Sequence, residues 1–88
     1  MKIYYHRRFL KHYKKRIFPS SSLSKRFSER LSLFIADSDN GILKDHHLTG
    51  DLEDYRVFSI TGDIRVVYYN ENNEIHLYDI GTHNQVYK

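Results

Sequence analysis

The last third of the chain holds three β-rich runs, Tyr55 to Ile60, Asp63 to Tyr69 and Glu74 to Ile80, separated by Thr61-Gly62 and by Asn70-Glu71-Asn72-Asn73. Both gaps are hairpin-sized, so the runs are expected to form an antiparallel meander on which everything N-terminal to it must pack. Side chains alternate along a strand, so Ile64, Val66 and Tyr68 of the middle run share one face and Arg65, Val67 and Tyr69 the other. The first set should meet the helices. The second should point Arg65 to an open face.

The N-terminal half supplies those helices. After a short β-rich opening at Ile3 to Tyr5, Phe9, Leu10, Tyr13 and Ile17 recur at helical spacing, which predicts a helix over 7–16. Its other side carries Arg8, Lys11, His12, Lys14 and Lys15, a charged face suited to solvent or to phosphate. Pro19 and the serines after it stop that helix, and a serine near position 21 or 22 is placed to cap the next. There Leu23, Phe27, Leu31, Phe34 and Ile35 form one apolar stripe. Asp37 to Gly41 ends it with turn formers, and the segment to Asp54 reads as polar and irregular. The order β-α-α-β-β-β predicts a single α+β domain over 1–88, with two N-terminal helices on one face of a small antiparallel sheet. The tail from Gly81 to Lys88 is too short to predict a further helix.

At 88 residues one modest core is all the chain can bury, so an active site must sit on its outside. The formal charge of +3 suits a polyanionic partner. The chain has no Cys, which excludes disulfides and thiolate metal sites and makes the cytoplasm the expected compartment. The start of the chain lacks the apolar run of a signal peptide, and no stretch approaches the roughly 20 apolar residues that span a bilayer, so no membrane role is expected. Six His raise the question of a metal, but none shows a short regular ligand spacing, so neither metal nor cofactor is expected.

Three stretches carry a family likeness: Lys44 to Arg56 with its Asp45-His46-His47-Leu48-Thr49-Gly50 loop, Gly62 to Tyr68, and Ile80 to Tyr87 with Gly81-Thr82-His83 and Tyr87 four residues on. In this order and spacing the chain resembles the RelE, YoeB and YafQ toxins, and most of all the YafQ-like branch. The resemblance implies a RelE-like fold, a toxin paired with a cognate antitoxin, and an mRNA interferase that cuts ribosome-bound message without metal. Operator DNA would be met only through the antitoxin complex. A ParE-like toxin, which binds DNA gyrase and cuts nothing, is the alternative.

RNA is cut without metal by a base for the 2′-hydroxyl, a cation for the phosphate and an acid for the leaving 5′-oxygen. His suits both proton roles and Arg suits the phosphate. The resemblance makes His83 the first candidate, with His46 and Asp63 as the second proton-transfer group or its orienter. It gives Arg65 the phosphate and Tyr87 a base to stack on or a hydroxyl to orient. Arg56, Lys11 and Lys15 are the further RNA-binding candidates. Ser59 stands where the branch commonly has a second His, so any proton role there is lost. His6, His12 and His76 match nothing in the family and are read as surface residues.

Overall fold

The computed structural model describes residues 2–50 and 54–87. In chain order the elements are β1 (Lys2–Tyr5), α1 (Arg7–Arg16), α2 (Ser21–Ala36), a 3₁₀ turn (Gly41–Leu43), β2 (His46–His47), β3 (Arg56–Ser59), β4 (Ile64–Glu71), β5 (Glu74–Thr82) and α3 (His83–Val86). The α+β class and the RelE-like arrangement of helices on a sheet hold. The sheet, however, has five strands in the order β1-β5-β4-β3-β2 and is mixed, because β1 pairs parallel with β5. Alternation says which residues share a face and nothing about strand direction, so the sequence could not have given this pairing.

Local chemistry sets the element ends. His6 accepts from the Arg8 amide at the start of α1, and Lys14, Lys15 and Arg16 fill its last turn, where cations match the helix dipole. Ser20, one residue before the expected cap, accepts from the Leu23 amide to start α2. The β4–β5 hairpin turns on Asn72 and Asn73, both at positive φ, the backbone a two-residue turn of this twist requires. At the β3–β4 turn, Thr61 Oγ1 accepts from the amides of Asp63 and Ile64.

The main core lies between the helices and one sheet face. Phe9, Ile17, Phe27, Phe34 and Leu43 meet Phe58, Ile60, Val66, Tyr68, Ile75, Leu77 and Ile80. Phe34 stacks on Phe58 at 4.5 Å and meets Tyr68 edge-on at 4.9 Å. Ile35 departs from the expected stripe and is exposed, while Leu33 turns partly inward.

The other sheet face is only partly bare. Val57 and Val67 alternate onto it, and Leu48 and Val86 close over them, with Tyr55, Tyr78 and Tyr87 around the edge. Val86 reaches it because the C-terminal tail does form a helical turn, contrary to the expectation from its length. A capping box explains this: Thr82 Oγ1 accepts from the Gln85 amide, and Gln85 Oε1 accepts from the Thr82 amide. Gly81 makes that turn possible, since a Cβ there would stand 2.6 Å from Gln85 Oε1 and 2.7 Å from an Arg16 guanidinium nitrogen.

The register between β4 and β5 slips at Val67/Tyr68, so Tyr78 has no partner opposite. Tyr78 packs outward against Tyr55 at 5.0 Å, while Asp79 is 1% exposed and faces α1. There Asp79 binds Arg8 Nε at 3.1 Å, His12 Nδ1 at 2.6 Å and the Ile80 amide at 2.8 Å, with Arg16 at 3.7 Å. His12 is thus an ion-cluster member and not a free surface residue. His76 likewise lies half-buried, stacked between Tyr4 and Tyr69. His6 remains exposed at its capping position.

Candidate active site

A cleft of about 460 Å³ opens on the outer face of the sheet. Short β2 brings His46 and His47 to its rim, the residues after them add Leu48 and Thr49, β4 adds Arg65, α3 adds His83, and the residue that ends α3 adds Tyr87. Gly81 and the capping box set the last two, so His83 stands at the first position of a helical turn and not in a free loop.

The side chains in the cleft touch one another. Arg65 Nη1 lies 3.4 Å from His83 Nδ1, and its guanidinium carbon is 5.9 Å from the centre of the Tyr87 ring. His83 meets that ring edge-on at 4.2 Å. Arg65 Nε is buried without a partner among the described residues. An unmatched buried donor on a cation is costly, and a phosphate oxygen would relieve it.

Hydrogen-bond partners distinguish the two imidazoles. A carbonyl can only accept, so His46 Nδ1 donates to Lys44 O at 2.8 Å, and the neutral ring keeps a free lone pair on Nε2. A guanidinium can only donate, so His83 Nδ1 accepts from Arg65, and its neutral ring carries the proton on Nε2. The neutral His46 ring can receive a proton at Nε2, whereas His83 can give one up only as the imidazolium, in which Nδ1 no longer accepts from Arg65.

Of the sequence candidates, His46, Arg65, His83 and Tyr87 come together. Asp63 does not: it is exposed on the β3–β4 turn and lies outside the cleft lining. Arg56 is opposite Tyr68 in register and therefore on the helix-covered face, where its Nε donates to Asp45 Oδ1 at 2.6 Å. Its charge is paired with Asp45, and it lies outside the cleft lining. Lys11 and Lys15 are exposed on α1, away from the cleft. Thr49 in the lining was not anticipated, because nothing in a polar loop distinguishes the residue that will face inward.

Asp45 also accepts from the Tyr68 hydroxyl. Burial, and then the hydrogen bond to Asp45, push the Tyr68 phenol well above its ordinary value of about 10. Such a group contributes stability that is fully present below about pH 10. Above that, the unfolded phenol ionises and the folded one resists, so the contribution is lost. Tyr68→Phe is therefore expected to cost about 1–2 kcal/mol at neutral pH in urea unfolding. The gap between wild type and variant should close as pH rises above about 10. A gap that stays constant would contradict this account.

Among the described residues, no group of three or more His, Cys, Asp or Glu is arranged to hold a metal, and no helix is long and apolar enough to cross a membrane. The family model for the bacterial YafQ toxin of type II toxin-antitoxin systems matches residues 1–88. The chain belongs to the YafQ toxin family. It is thus a toxin of the type II toxin-antitoxin class.

No curated protein sequence gives a significant match. Solved structures share the YafQ fold at low identity. A chain of the Escherichia coli DinJ-YafQ complex superposes with a TM-score of 0.81 at 20% identity, over 99% of this chain and 98% of that one. A metal-bound toxin from Helicobacter pylori gives 0.81 at 23%, over 99% of both chains. A YoeB/ParE toxin from Agrobacterium tumefaciens gives 0.78 at 17%, over 94% of this chain and 99% of that one.

Proposed function

We propose that this YafQ-family toxin is a metal-independent endoribonuclease that cuts messenger RNA, with the ribosome helping to present the strand. The observation that carries the reading is one cleft lined by Arg65, His46 and His83, with Arg65 in contact with His83. His46 Nε2 takes the proton of the 2′-hydroxyl, whose oxygen then attacks the adjacent phosphorus. Arg65 binds the non-bridging oxygens as their charge grows. His83 in its imidazolium form protonates the departing 5′-oxygen from Nε2 and is left as the neutral ring. The products are a 2′,3′-cyclic phosphate and a free 5′-hydroxyl. Tyr87 offers a ring on which a neighbouring base can stack.

Asp63 has no contact with this constellation, and its part is limited to the turn that starts β4. Lys11 and Lys15 supply sequence-independent attraction for RNA from the α1 side. A cognate antitoxin is the expected partner, as DinJ is in the DinJ-YafQ complex, and operator DNA would be reached through it. The site of action is the cytoplasm, where message and ribosome meet. A ParE-like mode, binding gyrase without cleavage, makes no use of paired imidazoles beside an unsatisfied guanidinium.

Purified toxin is expected to leave 2′,3′-cyclic phosphate ends on free RNA, slowly but at a rate unchanged by EDTA, and to cut faster when ribosomes present the message. A single 2′-deoxy sugar at the cut position should stop cleavage there. Loss of activity with chelator, or continued cutting at the deoxy position, would refute the mechanism.

A further inference from the structure

Next to the cleft, where β3 turns into β4, a second hollow of about 310 Å³ is bounded by Arg26, Arg30, Lys44, Ser59, Thr61 and Gly62. Three of these are cations, and none of the three forms an ion pair among the described residues. Arg26 and Arg30 sit one turn apart on α2, a like-charge spacing that destabilises a helix when no anion sits between them. Arg30 Nη1 gives one donor to Ile42 O at 3.2 Å, which holds the guanidinium against the 3₁₀ turn. Lys44 follows that turn with φ of 51°, its amide donating to Gly41 O at 3.2 Å. Thr61 Oγ1 already accepts two amide protons, so its own hydroxyl proton is free to donate outward. Two forked guanidiniums, an ammonium and a hydroxyl donor make a set that recognises a phosphate.

The hollow and the cleft share no lining residue, but neighbouring backbone positions connect their walls. Ser59 on its wall is directly opposite Arg65 across the β3–β4 pair, and the Lys44 carbonyl holds the His46 ring. Opposed strand positions are roughly 5 Å apart. The walls of the hollow and of the cleft therefore meet at this strand pair.

We propose that this hollow is a second phosphate subsite, which binds a phosphodiester of the same RNA strand beside the one held by Arg65. The assignment rests on the nuclease reading and extends it: the substrate is a single strand gripped at two consecutive backbone positions, with α2 supplying the second grip. Neither cation of α2 belongs to the motifs through which the chain resembles its family.

The test uses an RNA oligonucleotide with a 2′-O-methyl sugar at the cut position, which binds but cannot be cleaved. Its affinity is read by fluorescence anisotropy for wild type, for Arg26→Gln/Arg30→Gln, and for a control, Lys14→Gln/Lys25→Gln, whose residues line neither hollow. The pocket variant should bind about tenfold more weakly, the order expected for lost charge-assisted bonds. Its plot of log affinity on log salt should be shallower by about 0.7, the value for one single-strand phosphate.

Replacing one phosphate beside the cut site with a neutral methylphosphonate should weaken wild type and control by about tenfold and cost the pocket variant nothing further. Equal sensitivity of wild type and pocket variant to that replacement overturns the proposal. So does wild-type affinity in the pocket variant. If every methylphosphonate is tolerated while the pocket variant loses affinity for a ribosomal RNA hairpin, the hollow serves ribosomal phosphate and the same-strand assignment fails. Cyclic phosphate formation is read separately on unmodified RNA. Its absence would remove the nuclease reading, whereas the methylphosphonate result reports on the subsite alone.

Discussion

Alanine at both Arg65 and His83 is expected to leave RNA cleavage by this toxin about a hundred- to ten-thousand-fold below wild type, with the fold intact. The magnitude is what a positioned proton donor supplies, and losing the guanidinium removes the cation that faces the phosphate. The two effects should not add in full, because Arg65 also contacts His83 and each single change disturbs the other group. His83 is exposed and Arg65 half-exposed, and neither belongs to the main core, so the melting temperature should hardly move. Arg65→Lys should recover only part of the rate, since an ammonium keeps the charge and loses the fork. Rates come from product ends on a denaturing gel. A double variant that cuts RNA as fast as wild type would end the assignment of this cleft as the active site.

Asp79→Ala should produce the largest loss of stability among single changes away from the cleft, on the order of 3–5 kcal/mol. The carboxylate is almost wholly buried, and its removal leaves His12 without its partner and Arg16 with only the Ile80 carbonyl, their side chains being 18% and 20% exposed. Arg8, at 46%, regains water and contributes little to the cost. A domain of 88 residues has about 4–13 kcal/mol in all, so the loss is a large part of the total. Asp79→Asn, which keeps an acceptor for the Ile80 amide, should lose less. Urea unfolding at neutral pH decides it, and a change under about 1 kcal/mol for Asp79→Ala would show that the cluster is structurally idle.

This cluster also marks a limit of what pattern reading can reach. Arg8, His12 and Arg16 recur every four residues, a signal that one face of α1 is basic, and Asp79 interrupts an apolar run, yet nothing joins the two. The link depends on a one-residue slip between β4 and β5 at Val67/Tyr68, which accompanies the placement of Asp79 against α1. The surroundings of Arg56 were out of reach for a related reason. Its neighbours resemble a family motif, but its face follows from its pairing with Tyr68, and its charge is matched by Asp45 from eleven residues upstream.

By itself the sequence determined the first two helices, the three C-terminal strands and the face of β4 that meets the core, and its family likeness pointed to four of the residues that line the cleft. Helical and strand periodicity, turn chemistry and the spacing of short motifs are local properties, and local properties can be read along a chain. Tertiary structure alone decided the parallel pairing of β1, the folding of the tail into α3, the cover over the outer face, and the gathering of α2's arginines with Lys44 and Thr61 around one hollow. Each depends on which distant segments come into contact, and that is settled by burial and charge pairing across the whole domain.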